Sequence, residues 1–413
     1  MKGILVKFFI IVLLTFAPFA SFSQAKIRVN IENHIDSIYY LIKYTSDKSH
    51  CVIDTSSLSS GYKIFSNKTD YNEGIYVIAD SKQNPLFEIL IGKDQKFSIH
   101  VEELMDLKSY EVKGCKETES YFKVYSRTFY DRLHIKALES ELKYHPENIR
   151  KIDSIKNELY KYQESMLRKD NDSFLNTYIK FTEDRPICDL PLCDERILNS
   201  RLLKNKLDKY FDNSSTTQTP ELICNKIDEF VLSTDECQEI RDYILWYLYS
   251  KYFNPEKTEN ELVYIHLVDE YFSKLKIENL TENIRKEIIR RADVLRKITI
   301  GQVAPSFQYI DENGDIVDLD DIRSKFTVLF FYKPDCQKCI RDKRILGLIK
   351  KRRNDLTVLE INISEDNYNN VSHDIIKKYD VMTTPTIYLL NKNKEIIAKH
   401  IKAEEVEFHI IKR

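Results

Sequence analysis

Two cysteines three residues apart, Cys336 and Cys339, stand where an apolar run gives way to a helical pattern. Phe326 to Tyr332 are mostly β-branched or aromatic and read as a buried strand, and Pro334-Asp335 is a turn and helix-start signal. Ile340, Ile345, Leu346 and Ile349 then recur at helical spacing. Cys336 is therefore expected in the first turn of a helix, where unpaired backbone N–H groups and the helix dipole favour an anion. Such a pair can work as a nucleophilic thiolate, Cys336, backed one turn later by a resolving thiol, Cys339. Lys338 could aid the thiolate, whereas the charge of Asp335 beside it would oppose it. The expected chemistry is thiol-disulfide exchange. An inert disulfide and half of a zinc site are the alternatives. A zinc site needs two further ligands, and no second Cys-x-x-Cys exists. Ile340 after Cys339 removes the haem-attachment signature.

The elements that would hold this pair belong to a long chain. Its 413 residues, 42% hydrophobic and 31% charged, suit a folded protein of two or three domains. Residues 1–25 read as a secretory signal: Lys2 and Lys7, the apolar run Phe8 to Phe22, and small residues before a cut after Ala25 or, as the second choice, after Ser23. An uncleaved anchor is the competing reading, although the apolar run is short for a span. Either way the body is expected outside the cytoplasm, in the periplasm or cell envelope, where disulfides persist. Loss of Lys2 and Lys7 takes the formal charge from −2 to −4. That balance gives no reason to expect nucleic acid as a partner. The eight glycines form no nucleotide-binding loop and no serine-hydrolase elbow, and no His-Glu-x-x-His is present. No cofactor, no metal and no nucleotide is expected.

The expected fold class is multidomain: an N-terminal all-β sandwich over residues 26–116, an all-α middle domain over 117–298, and a C-terminal α/β domain over 299–413. In the first, Ile27-Val29-Ile31, Ile38-Tyr40-Ile42, Ile75-Ile78, Phe87-Ile89-Ile91 and Phe97-Ile99-Val101 alternate between Gly and Asn-Pro punctuation, which predicts seven or eight short antiparallel strands. From Thr118 the period becomes helical, with a stripe of Phe122, Tyr125, Phe129 and Leu133 expected in the core. Thr219-Pro220 opens a later helix that reaches Leu232. In the last part a β-α-β start is followed by strand Thr386 to Leu390, a turn, a strand from Glu395 and a closing helix, which fits a covered α/β sheet with Cys336 at a strand's carboxyl end.

These residues resemble the thioredoxin superfamily. Gly301-Gln302-Val303-Ala304-Pro305-Ser306-Phe307 looks like the entry segment of TlpA-type thiol-disulfide oxidoreductases and peroxiredoxin-like proteins, Cys336 to Cys339 matches the redox pair, and Thr384-Pro385 looks like the family's cis-proline. The whole chain is similar to exported Bacteroidota proteins with a β domain, a helical domain and a thioredoxin-like domain, including Asp194 to Phe211 and Tyr379 to Leu390. The resemblance implies that Thr384 and Pro385 present backbone to a substrate beside Cys336. It also implies that Asp342, three residues beyond Cys339, could take that thiol's proton; a solvated helix acid is the alternative. The chain departs from the pattern at Asp335, where a tryptophan is usual, and at Phe330, where thioredoxin's buried aspartate would fall. The partners so implied are protein disulfide or dithiol substrates in the envelope and a membrane-bound thiol electron donor. A peroxiredoxin-like antioxidant enzyme and a non-enzymatic binding scaffold are the rival functions. The former wants a Thr three residues before its cysteine, and Lys333 stands there.

The other six cysteines are less legible. Cys188 with Cys193 could close a short loop, Cys224 with Cys237 could tie two helices, and Cys51 and Cys115 are expected as buried free thiols.

Overall fold

The computed structural model describes residues 25–34, 36–44, 50–167, 172–183, 185–212, 219–255, 257–310, 314–364 and 372–412. The leader expected over residues 1–25 lies outside them except for Ala25, which is the first residue of a strand. The chain is multidomain, with strands and helices in two compact units. One takes the residues up to Pro186 together with Arg196–Lys206, and the other takes Ile187–Glu195 and Leu207 onward.

Among the described residues of the first unit, nine strands form two sheets. They are β1 (Ala25–Ile31), β2 (Tyr40–Tyr44), β3 (His50–Thr55), β4 (Ser57–Ser59), β5 (Tyr62–Asn67), β6 (Gly74–Ala79), β7 (Pro85–Ile91), β8 (Lys96–Val101) and β9 (Tyr110–Lys113). The sheet orders are β4-β5-β1-β8-β9 and β3-β2-β6-β7. Period-two burial in β1, where every odd-numbered residue from Ala25 to Ile31 is buried, is what the sequence alternation foretells. One expectation is corrected: β1 and β8 run parallel, not antiparallel. The strands between them build mainly the other sheet, so the chain returns to β1 from the same end.

Helices α1 (Lys116–Glu141), α2 (Asn148–Met166) and α3 (Phe174–Thr182) belong to this unit. Gly114, at φ +100, makes the turn from β9 into α1; a Cβ there would stand 2.8 Å from the Lys96 carbonyl oxygen. Cys115 caps α1, its sulfur accepting the Thr118 N–H, and the Thr118 hydroxyl donates to Leu90 of β7 at 3.0 Å. Phe122 meets the rings of Phe87 and Tyr110. The aromatic stripe is corrected further along: Phe129 and Leu133 are exposed. The face that α1 buries instead carries Tyr121, Phe122, Val124, Thr128, Ile135 and Leu138.

α4 (Leu202–Phe211) crosses the boundary of the units in sequence, and the second unit continues with α5 (Pro220–Leu232), α6 (Gln238–Tyr252), α7 (Glu261–Leu267, prolonged by a π turn to Phe272) and α8 (Glu282–Lys297). Thr219 caps α5 with Pro220 in its first turn. Beyond them come the hairpin β10 (Gln308–Ile310) and β11 (Ile316–Asp318), then β12 (Phe326–Tyr332), α9 (Gln337–Arg352), β13 (Leu356–Asn362), α10 (Ser372–Lys378), β14 (Thr386–Asn391), β15 (Ile396–Lys399) and α11 (Val406–Ile411). The four main strands lie in the order β13-β12-β14-β15, with β12 parallel to β13 and antiparallel to β14. All seven residues of β12 are buried, as a central strand covered on both faces requires.

Buried charge ties the helices of this unit to strand β15 and to the segment before β14. The Arg291 guanidinium of α8 donates to both carboxylate oxygens of Asp380 at 2.9 to 3.1 Å and to the Phe253 carbonyl at 2.8 Å. Lys399 of β15 pairs with Glu261 of α7 at 2.5 Å. Beside them the His400 Nε2 is buried without a hydrogen-bond partner among the described residues. Burial, with Lys399 and Arg291 nearby, pushes His400 down to about 4, so folding holds it neutral. Because the unfolded chain binds that proton at a higher pH, its contribution is complete above about 6.5 and fades as pH falls toward 4. Urea unfolding at pH 7 and pH 4 should show the stability gap between wild type and His400→Asn shift by about 3 kcal/mol.

Candidate active site

Register brings the site together. Phe331 of β12 pairs with Thr386 of β14 in antiparallel fashion, so the turn that follows β12 lies beside the residues that precede β14. The first of these segments holds Cys336 and the second holds Thr384-Pro385, whose peptide bond is cis. The Cys336 sulfur stands 3.7 Å from the Thr384 carbonyl oxygen.

Cys336 is the cap of α9 rather than part of its first turn, and its sulfur accepts the Cys339 backbone N–H at 3.2 Å. The expected helix position is thus displaced by one residue with the same physical effect: an N-terminal N–H and the helix dipole both point at the sulfur. Cys336 and Cys339 are joined as a disulfide with their Cα atoms 5.2 Å apart. Their exposure differs. Cys336 is half-buried, whereas Cys339 is sealed into an apolar cluster with Phe330, Leu346 and Ile349. An incoming sulfur can reach the first and not the second.

The remaining expected site residues divide. Lys338 and Asp335 are exposed at the start of α9. Asp342 is buried, 3% exposed, and its carboxylate accepts from the Arg341 guanidinium at 2.9 and 3.0 Å. One carboxylate oxygen is thus held by Arg341, which also extends to within 3.7 Å of Glu404. Phe330 is fully buried and stacks on Tyr332, centroids 5.4 Å apart. Beside Phe330 on β13 is Glu360, whose carboxylate pairs with Lys343 of α9 at 2.6 Å.

Two features escape sequence reasoning. Met382, 46% exposed, and Ile340, 36% exposed, are apolar residues at the surface close in sequence to Thr384 and Cys339. Asp380, four residues before Thr384, is clamped by Arg291. No local signal marks either, because an exposed side chain and a distant ion pair are both tertiary facts. The cysteine pairings are corrected as well. Cys193 bonds to Cys237, the cap of α6, across 44 residues, while Cys188 and Cys224 are free. Cys115 is buried as expected, but Cys51 is exposed on the outer strand β3. Burial, with Asp228 adding, pushes the Cys224 thiol up to about 11.

A family model described as TraF, the F plasmid transfer operon protein, matches residues 308–400. No curated protein matches the chain. Among solved structures, a thioredoxin-like protein from Bacteroides caccae is 21% identical with a TM-score of 0.42, covering 56% of this chain and 89% of that one. The thioredoxin domain of a thiol-disulfide oxidoreductase from Bacteroides vulgatus is 20% identical with a TM-score of 0.23, covering 27% and 96%. A thioredoxin-like protein from Aeropyrum pernix is 14% identical with a TM-score of 0.23, covering 26% and 89%. Part of the chain is thus similar to proteins with thioredoxin-like names.

Proposed function

We propose that the chain is an exported thiol-disulfide oxidoreductase of the TlpA-like kind, acting on envelope proteins through Cys336 and Cys339. The observation that carries this reading is the sulfur of Cys336: half-buried, capping α9 and facing the Thr384 carbonyl, with Cys339 buried behind it. As thiolate, Cys336 attacks one sulfur of a substrate disulfide, forming a mixed disulfide and expelling a substrate thiolate. Cys339, deprotonated, then attacks the Cys336 sulfur, closing the internal disulfide and expelling the second substrate thiolate. Two electrons pass to the substrate, and a membrane-bound dithiol restores the pair by the reverse exchange. Thr384 offers its carbonyl to an extended substrate segment, with Pro385 ending the reach of that segment. Lys338 adds positive charge at the mouth. Asp342, held by Arg341, is the nearest buried carboxylate along α9 to receive the Cys339 proton. The segment over residues 1–25 directs export, and a cut after Ser23 would leave β1 whole.

The test is a redox titration. Cys336 and Cys339 are equilibrated against glutathione buffers, quenched with an alkylating agent and read by mass. A reversible two-electron transition confined to these two thiols is the expected result. A pair that stays locked across the whole range of buffers counts against the reading.

A further inference from the structure

β9 is the outer strand of its sheet, paired with β8 on one side and with no strand on the other among the described residues. The Gln95 and Val101 carbonyls accept from Lys26 and Glu32 on the β1 side, so alternation turns the backbone of Ser98 and His100 toward β9, where they meet Lys113 and Glu111. The N–H and C=O groups of Tyr110 and Val112 therefore point away from the sheet. A cavity of about 790 Å³ lies along this edge. Tyr110, Glu111, Val112 and Lys113 all line it. Consecutive side chains alternate between faces, so the surface these four share is the strand's edge.

The facing wall is α1, which contributes Glu119, Phe122, Lys123, Ser126, Arg127 and Tyr130 at intervals of three and four. From Glu119 to Tyr130 a helix rises about 17 Å. That is the length of about five residues of extended chain. Most charges along the groove are already matched: Glu119 with Lys123 and Arg127 with Asp131, each at 2.6 Å, and Glu111 with Lys113 at 3.7 Å, while Lys108 lies over the Tyr130 ring at 5.0 Å. With the lining this close to charge balance, a ligand of one strong sign finds little field to hold it, and what stays open is backbone hydrogen bonding between tyrosine rings. The α1 wall also stands where a second copy of the sheet would have to come to join β9 edge to edge.

We infer that this groove binds an extended, unfolded polypeptide segment of another protein, which adds as a strand to β9. Recognition through backbone groups, with a rim close to charge balance, is tolerant of sequence. The inference stands apart from the thiol chemistry.

The full chain carrying Cys336→Ala and Cys339→Ala, which forms no mixed disulfide, is titrated against fluorescein-labelled, carboxamidomethylated insulin B chain, with anisotropy as the readout. Saturable binding is expected. Val112→Pro removes an outward N–H while leaving the β8 ladder intact, and Ser126→Trp fills the groove from the buried floor of α1. Each should weaken binding at least about tenfold. Leu58→Glu, on the other outer strand β4, should leave it unchanged. Absence of saturable binding, undiminished binding by both groove variants, or dimerisation of the chain that Val112→Pro abolishes would each overturn the inference. Circular dichroism establishes that the variants fold, and if Val112→Pro does not, Ser126→Trp decides alone.

Discussion

Cys336→Ala should lower the rate of insulin-disulfide reduction by at least about a thousandfold, because it removes the attacking sulfur and leaves no second route. Cys339 cannot replace it: the residue is 1% exposed and packed among Phe330, Leu346 and Ile349. Cys339→Ala should behave differently. Cys336 still attacks, helped by the N–H of residue 339, but resolution is lost, so a mixed disulfide with the substrate should accumulate and be visible by mass. A Cys336→Ala protein with wild-type activity, or a Cys339→Ala protein that never holds substrate, would remove the proposed roles. The asymmetry between the two variants is the sharper reading, since an inert structural disulfide would make them equivalent.

Arg291→Met should destabilise the second unit by about 3 to 5 kcal/mol. Arg291 and Asp380 have side chains only 5% and 7% exposed, and the guanidinium is wedged over the rings of Phe253 and Tyr264 at 4.2 and 4.7 Å. Removing the arginine strands a buried carboxylate, whose pKa burial already raises even with its partner present. Adding Asp380→Leu should then recover most of the loss, because the charge that is costly to bury goes with it. The single tryptophan, Trp246 of α6, donates to the Glu278 carbonyl inside the same unit, so its fluorescence in a urea titration reports the transition. An Arg291→Met protein within about 1 kcal/mol of wild type would mean that the clamp contributes little. The same pair holds Asp380, where the segment leading to Thr384 begins, so a loss of stability and a slower Cys336 should appear together.

Strand β12 was legible because seven mostly β-branched or aromatic residues ending at a Pro-Asp turn allow little else, and α9 because its apolar residues recur every three or four positions. That Cys336 and Cys339 stand together was legible from spacing alone, since a cysteine pair separated by two residues at a helix start is a local arrangement. The alternation of β1, β7 and β8 was equally local. The stripe at Phe129 and Leu133 misled, because helical period shows that a face exists without showing which face a neighbour covers.

Pairings across long stretches of chain carry no local mark. The parallel match of β1 to β8, the Cys193–Cys237 bond, the charge pairs Arg291–Asp380 and Lys399–Glu261, and the open edge of β9 opposite α1 all depend on where the chain returns in space. Local residue types set the elements and put Cys336 at the start of α9, through backbone propensity and side-chain period. Only packing decided what faces that sulfur and which edges stay unpaired, because those depend on distances between segments that spacing along the chain does not encode.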